Sequence, residues 1–376
     1  ASGGEYGIRG FVAAYDAETG EMLWKTHTIP GPGEPGNETW PGDTWRTGGA
    51  SIWVTGSYDP ETNLTYWGTG NGSPWMGVMR PGDNLHVSSV VAFDADTGEI
   101  RASYQYVPND TWDYDEISDQ TLVNIERDGQ QVKGLIHAAR SGHFYLLDRT
   151  DLSFEYGVPY MEAEPQTITG FDADGRPIIP EDHRPGIGES VEVCPGLGGP
   201  NNWYGLAFSP DTGYAYVPTS EVCMTLEGTE ATYLAGQTYT GANFQTYVPK
   251  GFDWAGALQA IDVATGEVVW KHKQQMPVRS PAMVTAGGLV FQGDIFDREL
   301  RAFDAKTGDI VWRFKTNSSV IGVPVTFELD GVQYVAVEAG YGAIAAIDVA
   351  GAAAEFGVPF NPVSGGAVWV FALKSK

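Results

Sequence analysis

Thiols are scarce in this chain: among 376 residues only Cys194 and Cys223 are cysteines. Their spacing matches neither a zinc site nor a thioredoxin-like dithiol. A long-range disulfide fits better and favours an oxidising compartment. Basic residues are also few, with 22 Lys and Arg against 48 Asp and Glu, a net charge of −26. Such a surface repels phosphate backbones and anionic lipid, so nucleic acid is not an expected partner. The charge suits solubility and is equally compatible with a basic partner. The six histidines, His27, His86, His137, His143, His183 and His272, form no metal-ligand spacing, and each reads as structural. No apolar run is long enough for a membrane span, and no signal peptide is visible. Ala1 reads as the interior of folded sequence, so any targeting segment is expected to precede it. A Cys-x-x-Cys-His haem motif is absent, so no cytochrome domain is expected within these residues.

Glycine and proline, in contrast, are plentiful, at 49 and 23 residues. That abundance suits many short strands joined by tight turns and predicts an all-β chain. With 42% hydrophobic and 12% aromatic residues, the chain can bury a substantial core. It also repeats itself. Ala14-Tyr15-Asp16 leads to Thr19-Gly20-Glu21 and Trp24, Ala260-Ile261-Asp262 to Thr265-Gly266-Glu267 and Trp270, and Ala302-Phe303-Asp304 to Thr307-Gly308-Asp309 and Trp312. A fourth copy, Ala92-Phe93-Asp94 to Thr97-Gly98-Glu99, lacks the Trp. Each copy predicts a hairpin, with Asp bonding its own backbone at the turn and Gly supplying positive φ. Phe144–Asp148 and Ala345–Asp348 read as worn copies.

Asp262 and Asp304 lie 42 residues apart, the span of a four-stranded propeller blade. Asp16 and Asp94 lie 78 apart, which leaves room for an insertion or a degenerate blade. The Gly/Pro-rich stretches 29–49 and 181–202 are too long for blade turns. They are expected either to build a functional rim or to be ordinary surface loops. Trp40, Trp45 and Phe154 suit an apolar entrance and equally a core.

The repeat and four further motifs together resemble the quinoprotein alcohol dehydrogenases, a family that uses pyrroloquinoline quinone (PQQ). The resemblance covers essentially the whole chain and implies an eight-bladed β-propeller with tryptophan-docking repeats. Residues 1–376 would form one propeller domain, incomplete at its N-terminus, with about five or six blades. In Gly3-Gly4-Glu5-Tyr6-Gly7-Ile8-Arg9-Gly10, Glu5 resembles the family's metal-binding glutamate. Trp53 and, eighteen residues later, Asn71 in Gly68-Thr69-Gly70-Asn71-Gly72 resemble the tryptophan beneath the quinone and the asparagine on the metal. Asn109-Asp110-Thr111-Trp112-Asp113-Tyr114-Asp115 resembles the segment of the catalytic base, which makes Asp113 the base and a metal ligand. Asp115 stands where lanthanide users carry an extra aspartate. In Ile136-His137-Ala138-Ala139-Arg140-Ser141-Gly142, Arg140 resembles the basic residue that contacts the quinone oxygens and the base. Cys194 and Cys223 resemble the partners of a structural disulfide, with Asn201-Asn202-Trp203 between them. Taken singly, these residues read as a surface glutamate, a core Trp, a turn Asn, an acidic turn and a surface Arg.

The cofactors implied are PQQ and Ca²⁺ or a lanthanide ion. The reaction implied is oxidation of a primary or secondary alcohol by hydride transfer to the quinone, with electrons passing to cytochrome c or a similar acceptor. A periplasmic site is implied, and a homodimer is left open. The adjacent cysteine pair that covers the quinone's other face in the family is absent, and Tyr341 stands where a tryptophan is frequent. A missing N-terminal portion is expected to supply further contacts. The rival readings are a non-catalytic propeller scaffold and a PQQ-dependent sugar or polyol dehydrogenase.

Overall fold

The computed structural model describes residues 4–342 and 347–373. Nearly all regular structure is antiparallel strand. Four sheets are four-stranded and antiparallel, and in three of them the strands follow one another along the chain. The first comprises Ser57–Asp59, Leu64–Gly68, Ser89–Asp94 and Ile100–Gln105; the second Thr121–Arg127, Gln130–Ala138, His143–Asp148 and Phe154–Pro159. The third comprises Ala207–Ser209, Tyr214–Ser220, Gly256–Asp262 and Val268–Gln274; the fourth Ala282–Val284, Leu289–Gly293, Glu299–Asp304 and Ile310–Lys315. A two-stranded sheet, Phe11–Tyr15 with Met22–His27, precedes them, and a three-stranded one, Val325–Leu329, Val332–Ala339 and Ala367–Ala372, follows.

Local turn chemistry builds the repeated hairpins. Asp16 Oδ1 accepts the backbone N–H groups of Glu18 and Thr19 at 3.0 and 2.7 Å, and Asp304 Oδ1 those of Lys306 and Thr307 at 2.9 and 3.0 Å. Gly20, Gly98, Gly266 and Gly308 then adopt φ of 72–77°, the left-handed region that glycine enters without a Cβ penalty. All four copies carry a register shift just before the Asp, as a turn closing through a left-handed residue requires. The expected worn copy at Phe144–Asp148 is likewise a hairpin, with Asp148 Oδ1 on the Thr150 N–H at 2.7 Å. The copy expected at Ala345–Asp348 is corrected in part. Ala345 and Ala346 lie outside the described residues, and Ile347–Glu355 is an α-helix. No Thr-Gly follows Asp348 to turn the chain, and the alanine-rich run favours helix.

At three junctions an aromatic side chain joins one sheet to the next hairpin. Trp24 Nε1 donates to Ala95 O and Trp270 Nε1 to Ala305 O, each at 3.1 Å. Both rings cover the turn glycine, since a Cβ on Gly98 would lie 2.4 Å from Trp24 and one on Gly308 2.6 Å from Trp270. Tyr156 takes the same place between the second and third sheets, donating its hydroxyl to Val263 O at 2.8 Å. Because Trp24 reaches the Asp94 turn directly, the long Asp16–Asp94 spacing reflects an insertion and not an intervening blade. The third strand of each four-stranded sheet is almost wholly buried and the fourth half-exposed, as stacked sheets require.

Trp40 is buried and its Nε1 donates to Leu85 O at 2.5 Å, so it belongs to the core of the 29–49 loop. Phe154 likewise packs among Tyr104, Tyr145 and Phe171. No helix among the described residues is long and apolar enough to cross a membrane.

Candidate active site

The glycines around Asn71 exist to let other groups close in. A Cβ on Gly70 would lie 2.6 Å from Asp115 Oδ1, and one on Gly4 would lie 2.0 Å from Asn71 Oδ1. Backbone segments far apart in sequence therefore meet here. Asn71 donates its backbone N–H to Asp115 Oδ1 at 2.8 Å and its side-chain Nδ2 to Gly72 O at 3.1 Å, which leaves the amide oxygen toward Gly4. Glu5 sits in the short 3-10 turn Gly4–Tyr6, its carbonyl accepting the Tyr239 N–H at 2.6 Å. Gly70 N–H bonds Ser51 O at 2.8 Å, which fixes the segment carrying Trp53. Trp53 itself is 40% exposed.

Asp113 is buried and adopts φ of 63°, a strained choice for a residue with a side chain. Asp110 supports that turn by accepting the N–H groups of Trp112 and Tyr114 at 3.1 and 3.2 Å. Arg140 then bridges the two aspartates, with Nη2 3.3 Å from Asp113 Oδ2 and Nη1 2.8 Å from Asp115 Oδ2. Its Nε donates to Leu197 O at 2.8 Å, which brings the 181–202 stretch to the site. The 29–49 stretch arrives from the other side, where Gly48 O accepts the Ser73 N–H at 2.9 Å.

Electrostatically the site is short of positive charge. Burial pushes the Asp113 carboxyl well above the usual carboxylate range; Arg140 pulls it down, and Asp115 and Glu5 push it further up. Glu5 is raised by burial and then by Asp115. Burial opposes the Arg140 charge, yet Asp113 and Asp115 hold its guanidinium more firmly protonated than usual. Asp113 Oδ1 is buried without a hydrogen-bond partner. An orphaned carboxylate oxygen amid three acids and one guanidinium fits a bound cation. Among the described residues no three His, Cys, Asp or Glu side chains already converge as a metal cluster, so an ion here would draw on the Asn71 oxygen as well.

Several functional neighbours were not apparent in the sequence. Arg80, fully buried, donates to Pro74 O, Trp75 O and Asn84 Oδ1 at 2.8, 2.9 and 2.6 Å and also to Asp110 O, tying the Asn71 loop to the Asp113 turn. A cavity of about 100 Å³ beside Arg140 is lined by Trp203, Tyr204, Phe244 and the ion pair of Arg279 with Asp348. Cys194 and Cys223 form a disulfide, closing a loop that contains Leu197. Tyr341, 36% exposed, shares a different cavity with Trp203.

Residues 4–182 and 255–335 match the family model for the PQQ glucose/ethanol/alcohol dehydrogenase beta-propeller domain. The chain belongs to the quinoprotein alcohol dehydrogenase family. It is 41% identical, over its whole length, to quinoprotein alcohol dehydrogenase PedH of Pseudomonas putida, covering 66% of that protein. It is 37% identical to the lanthanide-dependent methanol dehydrogenase of Methylacidiphilum fumariolicum, with 99% of this chain and 67% of that one aligned. Among solved structures, a europium-containing methanol dehydrogenase superposes with a TM-score of 0.91 at 36% identity, covering 99% of this chain and 71% of the other. The quinohemoprotein alcohol dehydrogenase of Comamonas testosteroni superposes with a TM-score of 0.88 at 33% identity, covering 99% and 57%. This quinoprotein chain thus spans about two thirds of the length of the curated relatives it matches.

Proposed function

We propose that the protein is a PQQ- and metal-dependent dehydrogenase that oxidises a primary or secondary alcohol to an aldehyde or ketone and passes electrons to a cytochrome-type acceptor. The observation that carries this reading is the unpartnered, buried Oδ1 of Asp113 within a cluster of acids bridged by Arg140. When bound, the metal-polarised quinone supplies an electrophilic carbon that accepts hydride from the alcohol. Glu5, Asn71 and Asp113 would hold the metal, with Asp115 as a further anionic ligand suited to a trivalent ion. Asp113, buried and paired with Arg140, would take the alcohol proton. Arg140 neutralises charge that develops beside Asp113 and Asp115, and its planar fork suits paired oxygens. Trp53 offers a flat, exposed face for a planar ring system.

The same reading makes the chain the larger, C-terminal part of an eight-bladed, periplasmic propeller with tryptophan docking, completed by an N-terminal portion. Exposed apolar residues at both ends of the row of sheets support it: Tyr15, Met22 and Leu23 on the two-stranded sheet, and Val325, Leu329, Val368 and Val370 on the three-stranded one. We favour a lanthanide over calcium because Asp115 adds charge to the site. A reconstitution series with PQQ and either Ca²⁺ or La³⁺, read by dye reduction with a panel of alcohols, tests the assignment. It also separates this reading from a sugar or polyol dehydrogenase by substrate profile, and turnover would exclude a non-catalytic scaffold.

A further inference from the structure

We propose that Glu116 and His137 are a buried positioning pair that sets the Arg140 guanidinium between Asp113 and Asp115. The inference deepens the reading above and rests on Arg140 serving the quinone site. Glu116 is fully buried, and its carboxylate is held by two backbone amides and an imidazole and not by a guanidinium. Its Oε2 accepts the backbone N–H of Arg140 at 2.8 Å, and its Oε1 that of Ser141 at 3.1 Å. The carboxylate therefore holds two successive amides of the turn from which the Arg140 side chain departs. Three protein donors converge on it, because His137 Nε2 lies 2.9 Å from Oε2.

The orientation of the imidazole follows from its other side. Tyr106 donates its hydroxyl to Gln120 Oε1 at 2.9 Å, which turns the Gln120 amide nitrogen toward His137 Nδ1 at 3.2 Å. Ser118 Oγ lies 3.4 Å from the same Nδ1, and because a carboxylate oxygen only accepts, the Nε2 proton of His137 donates to Glu116. The imidazole ring packs against Tyr106 with centroids 4.6 Å apart and planes tilted by 31°. The Glu116 backbone is fixed as well. Its N–H bonds Thr69 O at 3.1 Å, two residues before Asn71, and a Cβ on Gly68 would meet Glu116 O at 2.1 Å. Glu116 thus joins the three segments that carry Asn71, Asp115 and Arg140. A residue needed only to fill the core would not require a charge that satisfies three donors.

Glu116→Gln sets one carbonyl oxygen and one NH₂ group against three N–H donors, so one donor must face another. In the full-length holoenzyme, this variant is expected to lower kcat about 10- to 100-fold while the alcohol KM changes less than about threefold. His137→Phe is expected to lower kcat about tenfold, and His137→Gln, which keeps a donor, to recover most of that loss. A crystal structure of E116Q is expected to place the Arg140 guanidinium off one or both aspartates, a readout independent of turnover. Wild-type kcat in E116Q, or an unmoved Arg140, overturns the proposal. If the wild-type enzyme itself oxidises no alcohol, the functional reading fails while the crystal comparison still decides the positioning role. Should E116Q not fold, the same kcat and structural comparison is made between H137F and H137Q, and equal values with an unmoved Arg140 overturn it.

Discussion

Asp115 accepts the backbone N–H of Asn71 at 2.8 Å, joining two motifs 44 residues apart in sequence. Its second oxygen meets Arg140, so one carboxylate sets the position of both the amide and the guanidinium. Asp115→Asn keeps an acceptor for Asn71 but removes a charge. Affinity for Tb³⁺, followed by sensitised luminescence, is expected to fall at least about tenfold more than affinity for Ca²⁺. Equal losses for the two ions would argue that Asp115 serves only the fold.

Replacing Arg140 strips the compensation from two buried aspartates. Arg140→Ala is expected to cost about 3–5 kcal/mol in denaturant unfolding and to lower kcat by about 10²- to 10³-fold. Arg140→Lys, lacking the planar fork, should recover stability better than activity.

Steric predictions are sharper at the glycines. Gly70→Ala would place a Cβ 2.6 Å from Asp115 Oδ1 and 3.1 Å from Ser51 O. Metal affinity is therefore expected to drop while thermal unfolding moves by only a few degrees. An unchanged affinity would mean that Asp115 has free space to retreat.

Acid stability should depend on two buried histidines. Burial lowers His86 and His143 to about 4, and each Nδ1 is buried without a partner. In the unfolded chain both titrate near 6.5, so between these values the unfolded state binds more protons and stability falls as pH falls. The loss approaches about 3 kcal/mol per histidine by pH 4. Urea unfolding of wild type and His143→Gln at pH 7 and 4.5 measures it, and the variant should show the flatter profile.

The Cys194–Cys223 bond closes a loop across a separation of 29 residues, and that loop presents Leu197 O to Arg140. Replacing both cysteines by alanine is expected to cost roughly 3–4 kcal/mol and to reduce kcat as well, because the loop also holds the guanidinium. A variant that loses stability but keeps full activity would separate the disulfide from the site.

Much of this arrangement could be read from the sequence, for physical reasons that differ by element. Hairpins such as Asp16–Gly20 are dictated by contacts within a few residues, so the Asp-Thr-Gly pattern exposes them directly. Asp113, Asp115 and Arg140 were expected together through the family resemblance, and the fold brings them within ion-pair distance. Glu116 was hidden in an acidic run that looks like a solvated turn. What distinguishes it is a set of partners 21 to 25 residues away, which only tertiary packing reveals. Arg80 was overlooked for the same reason, since its acceptors are mostly backbone carbonyls and leave no side-chain pattern. The helix Ile347–Glu355 departs from the repeat where the turn glycine is lacking.

The most direct measurement is metal and cofactor reconstitution of the full-length apoprotein with PQQ and either Ca²⁺ or La³⁺, followed by alcohol-dependent dye reduction. Turnover that requires both the quinone and the ion, is greater with La³⁺, and is lost in Asp113→Asn is the predicted result. Absence of quinone binding and of turnover with either ion would contradict the account.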